Sequence, residues 1–213
     1  MSVVQICNRG ASQYLGLGRV NSLDEQTPQS EQYQLHYDDL RKALLEKHWW
    51  IFAKTVQALA QVENDRPNDW SYKYQLPSRY RTIHWINDLS AGHALVREGK
   101  NPDAIRETIG SHVYCNVPKA YVQYTADEDN TALFPQYFRD ALSAMVASAI
   151  AVPLTESVQR ARFASDRAEF LIEEAIVKDM ENLPPLEAPQ ATYIDARMGG
   201  SYTGNSRQNW SNR

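Results

Sequence analysis

Three consecutive carboxylates, Asp127-Glu128-Asp129, are the residues of this chain that come nearest to a reaction centre. A pair of carboxyl groups can hydrolyse a glycosidic bond when one is protonated and the other is ionised. Adjacent acids between a strand pattern and a helix pattern are more often a solvated loop or the acidic start of a helix. We therefore expect a structural role for this triplet and keep hydrolysis as the alternative.

Other patterns of catalytic or ligand-binding residues are weak. The five histidines include no pair at metal-binding spacing, and the sequence holds no Gly-x-Ser-x-Gly motif. Gly16-Leu17-Gly18 has no third glycine and no preceding strand pattern, so it indicates the end of a helix rather than a dinucleotide site. Cys7 and Cys115 lack the paired spacing of a zinc site and are expected to be buried thiols in a reducing compartment. The sequence predicts no catalytic residue, no metal and no cofactor.

Composition limits the class of protein. Of the 213 residues, 43% are hydrophobic and 23% are charged, which is typical of a soluble globular protein. The formal charge is -4, and Lys and Arg are scattered among acids, whereas a DNA-reading protein needs a clustered basic face. The N-terminus has no signal-peptide pattern, and no apolar run approaches the roughly 20 residues that span a bilayer. We expect a soluble protein that is made in the cytoplasm and has no membrane partner.

Helical patterns occupy both ends of the chain. Apolar residues recur at helical spacing over 3–15 and again over 31–52, where the pattern ends in aromatic residues. A third helix is predicted from 134 until Pro153 stops it, and an alanine-rich helix follows from about 155 to 176. The helices at the two ends of the chain are expected to fold together as one bundle.

The second of these helices has a clear apolar stripe. Tyr33, Tyr37 and Leu44 lie on it, and Arg41 is assigned to the polar side. Before the helix, Ser22-Leu23-Asp24-Glu25 has the spacing of a capping box, but Pro28 soon afterwards favours a loop with Asx-type turns there.

Short β-prone segments separate the helical regions. The candidate strands are 70–76, 80–86, 93–97, 109–115 and 120–125. Alternation within 120–125 predicts one covered face and one wetter face. We interpret this region as a small antiparallel sheet structure.

The order of elements predicts an α+β fold. Residues 1–56 and 131–184 form a helical bundle from the N- and C-terminal helices, because chain ends tend to lie close together. Residues 57–130 form an inserted small antiparallel β domain, and residues 185–213 form an extended C-terminal tail. Helical spacing and strand alternation place most of the aromatic residues, Trp49 included, in the core.

The predicted tail has a composition that cannot build a core by itself. Aromatic residues in such a segment are candidates for docking onto a partner. The predicted partner-binding residues are Tyr193, Arg197, Tyr202 and Trp210.

An ordered series of short blocks carries a family resemblance. The blocks are Asn8 with Leu15-Gly16, Ser22-Leu23-Asp24-Glu25, Tyr37 to Leu45 with Trp49-Trp50-Ile51-Phe52-Ala53, Tyr74-Gln75-Leu76-Pro77 with Arg81, Val122-Gln123-Tyr124, Phe134-Pro135, Phe138, Ala141-Leu142, and Ala149 through Thr155. In these blocks and their order the chain resembles the head-to-tail adaptors of short-tailed bacteriophages, the tubular tail protein A family.

The resemblance implies a structural protein of the virion and not an enzyme. It implies a ring of about twelve copies between the portal protein and the tail nozzle protein. Genomic DNA would pass through the centre without sequence-specific binding, and an acidic lumen would repel its phosphates. The alternative is a virion-associated peptidoglycan hydrolase that uses Asp127, Glu128 or Asp129.

Overall fold

The computed structural model describes residues 1–88 and 106–183, in which the chain forms four α-helices and seven strands. The helices are α1 (Val3–Gly10), α2 (Pro28–Lys47), α3 (Gln136–Thr155) and α4 (Val158–Glu181). The strands are β1 (Lys54–Ala58), β2 (Ala60–Val62), β3 (Tyr72–Gln75), β4 (Tyr80–Asp88), β5 (Arg106–Ile109), β6 (His112–Cys115) and β7 (Ala120–Ala126). The predicted α+β class is confirmed.

The N-terminal helix ends where the sequence indicates. Ser2 caps α1, and a π-helical turn over Ala11–Leu15 continues it. Gly16 then adopts a left-handed conformation with φ of 69°, which costs glycine little. The predicted helix end at Gly16 is therefore confirmed.

Gly10 allows α1 to lie directly against α3. A Cβ atom added at this position would overlap the backbone carbonyl of Ser143 and would lie 3.4 Å from the Ala147 Cβ atom. The two helices are therefore in contact through their backbones, and no residue larger than glycine fits.

Helix α2 differs from its prediction at both ends. Thr27 caps the helix and Pro28 occupies its first turn, where proline loses no hydrogen bond that a helix needs. The helix ends at Lys47, so Trp49 and Trp50 lie beyond it, and a short 3₁₀ turn follows over Ile51–Ala53. The predicted loop over Ser22-Leu23-Asp24-Glu25 is confirmed, whereas the prediction of one helix from about residue 31 through residue 52 was wrong at both ends.

Helix α3 is the centre of the bundle and packs against α1, α2 and α4. The prediction that Pro153 ends it was wrong, because the helix continues to Thr155, whose hydroxyl donates to the carbonyl of Ala151 at 2.6 Å. By length and composition alone, α3 could cross a membrane. Because it is surrounded by the other three helices, we interpret it as the core helix.

The strands form two antiparallel sheets. One has the order β1-β7-β4 and the other the order β2-β3-β6-β5. The predicted strand 109–115 is wrong in part, because Gly110, with φ of 58°, begins a turn that separates β5 from β6. The prediction of a wetter face on β7 was also wrong for Gln123 and Thr125, which are buried. The candidate strand 93–97 lies outside the described residues.

Buried apolar residues form two separate clusters. One joins the four helices, the turn after α1 and residues Val20, Trp50 and Ala53, and the other joins residues of the sheets. The first strand begins at Lys54, slightly before the predicted boundary at 57. This separation agrees with the predicted bundle and β insertion.

Candidate functional site: the joint between the helices and the sheets

Arg41 is the centre of the contact between the bundle and the sheets. It lies on the buried side of α2 and only 3% of its surface is exposed. Its Nη1 atom donates to Asp127 Oδ1 and to the carbonyl of Glu128, both at 2.6 Å, and its Nη2 atom donates to Asp38 Oδ1 at 2.6 Å. The prediction that Arg41 lies off the buried stripe was wrong, because the side chain is buried and its charge is paired with two carboxylates.

Asp127 follows the end of β7, and its carboxylate accepts hydrogen bonds from two arginines. Arg81, on β4, donates from Nη2 to Asp127 Oδ2 at 2.7 Å, while Arg41 occupies the other oxygen. Burial by itself would raise the pKa of Asp127, but the hydrogen bonds from Arg81 and Arg41 outweigh it and hold that pKa below its usual range. The carboxylate is therefore a fixed anion that links α2, β4 and β7.

The other two acids of the triplet have different surroundings. The side chain of Glu128 accepts the backbone N–H of Asn130 at 2.9 Å and so shapes the loop before α3. Asp129 forms an exposed ion pair with Arg79 at 3.1 Å, and Arg79 also donates to the backbone carbonyl of Asp127. A glycosidase needs one carboxyl group whose pKa is raised. Asp127, held ionised by two arginines, is unsuited to that role, and the geometry favours the structural interpretation of the triplet.

A ring contact forms the second part of the joint. Trp49 stacks on His84 of β4 with ring centroids 4.5 Å apart and ring planes 12° apart. Trp49 is 55% exposed, so the prediction that it lies in the core was wrong. His84 is buried and its Nε2 atom lies 2.7 Å from Thr125 Oγ1. Burial, with the nearby positive charge of Lys54, lowers the pKa of His84 to about 4, so the ring is neutral at physiological pH.

A buried carboxylate ties the end of α4 to the same region. Asp179 is 1% exposed and accepts the hydroxyl of Tyr137 at 2.7 Å and the backbone N–H of Ile51 at 3.1 Å. His48 Nε2 lies 3.3 Å from Asp179 Oδ2, the oxygen that also accepts the N–H of Ile51. Burial and the neighbouring carboxylate raise the pKa of Tyr137, so its hydroxyl remains protonated and donates. The carboxylate thereby fixes the chain between α2 and β1.

Most of the other aromatic residues near this joint belong to the bundle. Trp50 and Phe138 meet edge to face at 5.1 Å, and Phe52 lies 4.8 Å from Phe138. Trp50, Phe134 and Phe138 are fully buried in the helical cluster, and the indole N–H of Trp50 donates to the carbonyl of Leu44. The aromatic ends of the two helices therefore meet each other, and Trp49 is the ring that reaches the sheet.

A cleft of about 350 Å³ lies beside the joint. Its walls include Lys54, Trp49 and His84, together with Met180 and Leu183 from the end of α4. Within residues 1–88 and 106–183, no group of three or more His, Cys, Asp or Glu side chains could hold a metal ion. Both cysteines are buried free thiols, as expected, and burial raises the pKa of Cys7 to about 12. The predicted partner-binding residues Tyr193, Arg197, Tyr202 and Trp210 lie outside the described residues.

Sequence reasoning missed the arginines of the joint and the role of Asp179. A signal for Arg41 was available, because it follows Tyr37 by four residues and precedes Leu44 by three, and both are apolar positions of α2. A charged residue at such a position needs a buried partner. No comparable signal marks Arg81, because its partner Asp127 is distant in the sequence.

Neither a scan against models of known protein families nor a search of curated proteins finds a match for this chain.

Proposed function

We propose that the chain is a structural head-to-tail adaptor of a short-tailed bacteriophage and has no catalytic activity. Copies of it form a ring of about twelve between the portal protein and the tail nozzle protein of the virion. Genomic DNA passes through the ring without sequence-specific contacts. The proposal rests on the ordered blocks of resemblance along the chain and is supported by what those residues do in the fold.

The observation that carries the proposal is that Asp127, a member of the acidic triplet that comes nearest to a reaction centre, is held in a structural joint. Asp127 is bound between Arg41 and Arg81, two arginines from different units of the fold. An adaptor must transmit force between two larger assemblies, so its two units need a fixed connection. Hydrogen bonds between charged groups are stronger than neutral ones, and because each oxygen of Asp127 accepts from a different arginine, they also fix the orientation of the carboxylate.

Residues of the resembling blocks perform structural tasks. The buried amide of Asn8 donates to the carbonyl of Val20 at 2.8 Å and accepts the N–H of the same residue at 3.1 Å, which fixes the loop after α1. Glu25 accepts the backbone N–H of Ser22 at 3.2 Å and shapes the next loop. These contacts define the backbone of the two loops, which is a structural task.

The charge of the chain suits a conduit for DNA. The formal net charge of -4 disfavours retention of a polyanion, because binding of phosphates needs clustered Lys and Arg. DNA can then move along a ring whose net charge repels it weakly.

The test is co-assembly with the portal protein. The chain and the purified portal protein of the same phage are mixed and measured by size-exclusion chromatography with multi-angle light scattering. A complex with about twelve chains per portal ring supports the proposal. A chain that elutes apart from the portal at every ratio overturns it, whereas monomeric behaviour without the portal does not, since a ring can require a template.

A further inference from the structure

The cleft beside the joint has apolar walls and a basic rim. Trp49, Met180 and Leu183 line it and are 55%, 54% and 45% exposed. Lys47 and Lys54 also line it, and both are exposed. Large apolar side chains that stay exposed around one concave surface mark a place where another group binds.

The charge that faces this cleft is positive. Its lining contains no Asp or Glu, and neither of its lysines forms an ion pair in the described part of the chain. Three acids are next to lining residues in the sequence. Asp179 is buried, and the Oε1 atom of Glu46 lies 3.8 Å from Arg81 Nη1. Glu181 is exposed, and the cation on which it acts is Lys178. The lysines of the cleft are therefore free to pair with an incoming carboxylate.

A buried amide in the cleft also lacks a partner. Gln123 of β7 lines the cleft and is 9% exposed, yet its side chain forms no hydrogen bond with another residue in 1–88 or 106–183. Buried amides normally have hydrogen-bond partners. A peptide backbone that enters the cleft supplies both an N–H donor and a carbonyl acceptor for this amide.

The sequence after Leu183 matches the cleft in chemistry and in reach. The described chain ends in the cleft wall, and Pro184-Pro185-Leu186-Glu187-Ala188-Pro189 follows. This segment places a carboxylate directly after a branched apolar side chain, and no basic residue occurs before Arg197. Four residues span up to about 14 Å, whereas a cube with the 350 Å³ volume of the cleft has an edge of about 7 Å. Leu186 and Glu187 are therefore close enough along the chain to enter the cleft.

The prolines of the segment lower the cost of docking. Pro184, Pro185 and Pro189 each have φ restricted to about −65°, so fewer conformations are lost when the segment is held. Proline-rich segments commonly dock on aromatic rings. Trp49 offers such a ring, which is exposed and is held in place by its stack on His84.

We propose that residues 184–189 dock in the cleft of their own chain. Leu186 packs against Trp49, Glu187 pairs with Lys54, and a peptide group of the segment bonds to the unpartnered amide. Direct attachment to the cleft wall favours the same chain over a second copy, because a short tether gives an effective concentration of about millimolar. The docked segment fastens the end of α4 to the sheet from outside the joint. This contact is independent of the proposed function and forms whether or not the chain binds a portal.

Hydroxyl-radical footprinting of the whole 213-residue chain, with mass spectrometry as the readout, tests the docking. Trp49 should be labelled at least about threefold faster in Leu186→Asp/Glu187→Lys than in the wild type, because labelling follows the fraction of time that the ring is uncovered. The adjacent Trp50 is fully buried and adds little to the signal. Trp70 lies outside the cleft lining and is the internal reference, which should be labelled equally in both chains.

The tail contains a matched control. Ile194 and Asp195 repeat the order of a branched apolar residue and an acid, eight residues farther along. Ile194→Asp/Asp195→Lys makes the same change of polarity and charge and should leave Trp49 at the wild-type labelling rate. Faster labelling of Trp49 in this control would overturn the proposal, and so would an unchanged rate in Leu186→Asp/Glu187→Lys.

Charge exchange tests the ion pair separately. Lys54→Glu should speed the labelling of Trp49, because it places two carboxylates together, and adding Glu187→Lys to the same chain should restore the wild-type rate. Circular dichroism of each variant checks that the fold is kept. Labelling of Lys54→Glu at the wild-type rate, or the absence of rescue in the double variant, would contradict the proposed pair.

Dilution identifies which chain supplies the segment. Protection of Trp49 should be constant over about a hundredfold range of chain concentration, because an intramolecular contact does not depend on concentration. Protection that is lost on dilution would show that the segment of another copy occupies the cleft, and would overturn docking within one chain.

Discussion

Asp127→Asn is the change that most directly probes the joint. The substitution keeps the size of the side chain but removes the negative charge between Arg41 and Arg81. Arg41 is buried and would keep only Asp38 and the carbonyl of Glu128 as partners. Removing one partner of a buried ion pair typically costs about 3–5 kcal/mol of stability, because the charge of the other partner is left uncompensated.

The remaining partners of Arg41 reduce this cost. Asp127 is also partly exposed, at 21% of its side chain, so water screens some of the loss. We expect the free energy of unfolding to fall by about 2–4 kcal/mol. For a chain of this size that corresponds to a melting temperature lower by about 5–15 °C.

The stability that Asp127 contributes depends on pH in a predictable direction. The pKa of Asp127 is lowered in the folded chain, so the unfolded chain takes up its proton first as the pH falls. The contribution of Asp127 is therefore fully present above about pH 4, the ordinary range of an aspartate, and is lost as the pH falls through the folded-state pKa. The difference between wild type and Asp127→Asn should shrink at acid pH.

Urea unfolding monitored by circular dichroism measures these differences, with Asp129→Asn as the matched control. Asp129 belongs to the same triplet, but its ion pair with Arg79 is exposed, so its loss should cost about 0–1 kcal/mol. Equal costs for the two variants, or a difference that does not shrink at acid pH, would refute the reasoning. Release of peptidoglycan fragments by the wild-type chain that both variants abolish would instead favour the hydrolase.

Three further predictions concern the contacts around the joint and the bundle. Gly10→Ala should lower the free energy of unfolding by about 1–3 kcal/mol or more, because the added Cβ atom would overlap the backbone of α3. Urea titration measures this loss, and Gly18→Ala is the control that should cost much less, because the space around Gly18 is open. Tyr137→Phe should cost about 1–3 kcal/mol, because it leaves the buried Asp179 short of a donor, and an unchanged urea midpoint would contradict that role. The imidazole of His84 should titrate near pH 4 by nuclear magnetic resonance, because burial disfavours its charged form, and titration near pH 6.5 would show that the ring is solvated.

Periodicity made the helices predictable, but it did not locate their ends. The apolar spacing of α2 is clear in the sequence from Glu31, yet the helix begins at Pro28, because a proline in the first turn loses no bond that a helix needs. Pro153 was interpreted as a stop, although α3 accommodates it in its last turn. Local chemistry at a helix end admits both outcomes, and tertiary packing decides between them.

The joint was less predictable than the fold, because its partners are far apart in the chain. The interpretation of Asp127 as structural followed from the sequence, but its partners Arg41 and Arg81 did not. The pairing of β4 with β7 brings Arg81 to the end of β7. The sequence alone does not reveal the register of that pairing. Trp49 was placed in the core because the helical spacing of α2 was extended through residue 49, whereas α2 ends at Lys47 and only Trp50 is buried.

Electron microscopy of the portal protein mixed with this chain tests the central claim most directly. We predict a ring of about twelve chains seated on one end of the portal, with an open channel along the common axis. Portal rings that remain bare in the presence of excess folded chain would contradict the account.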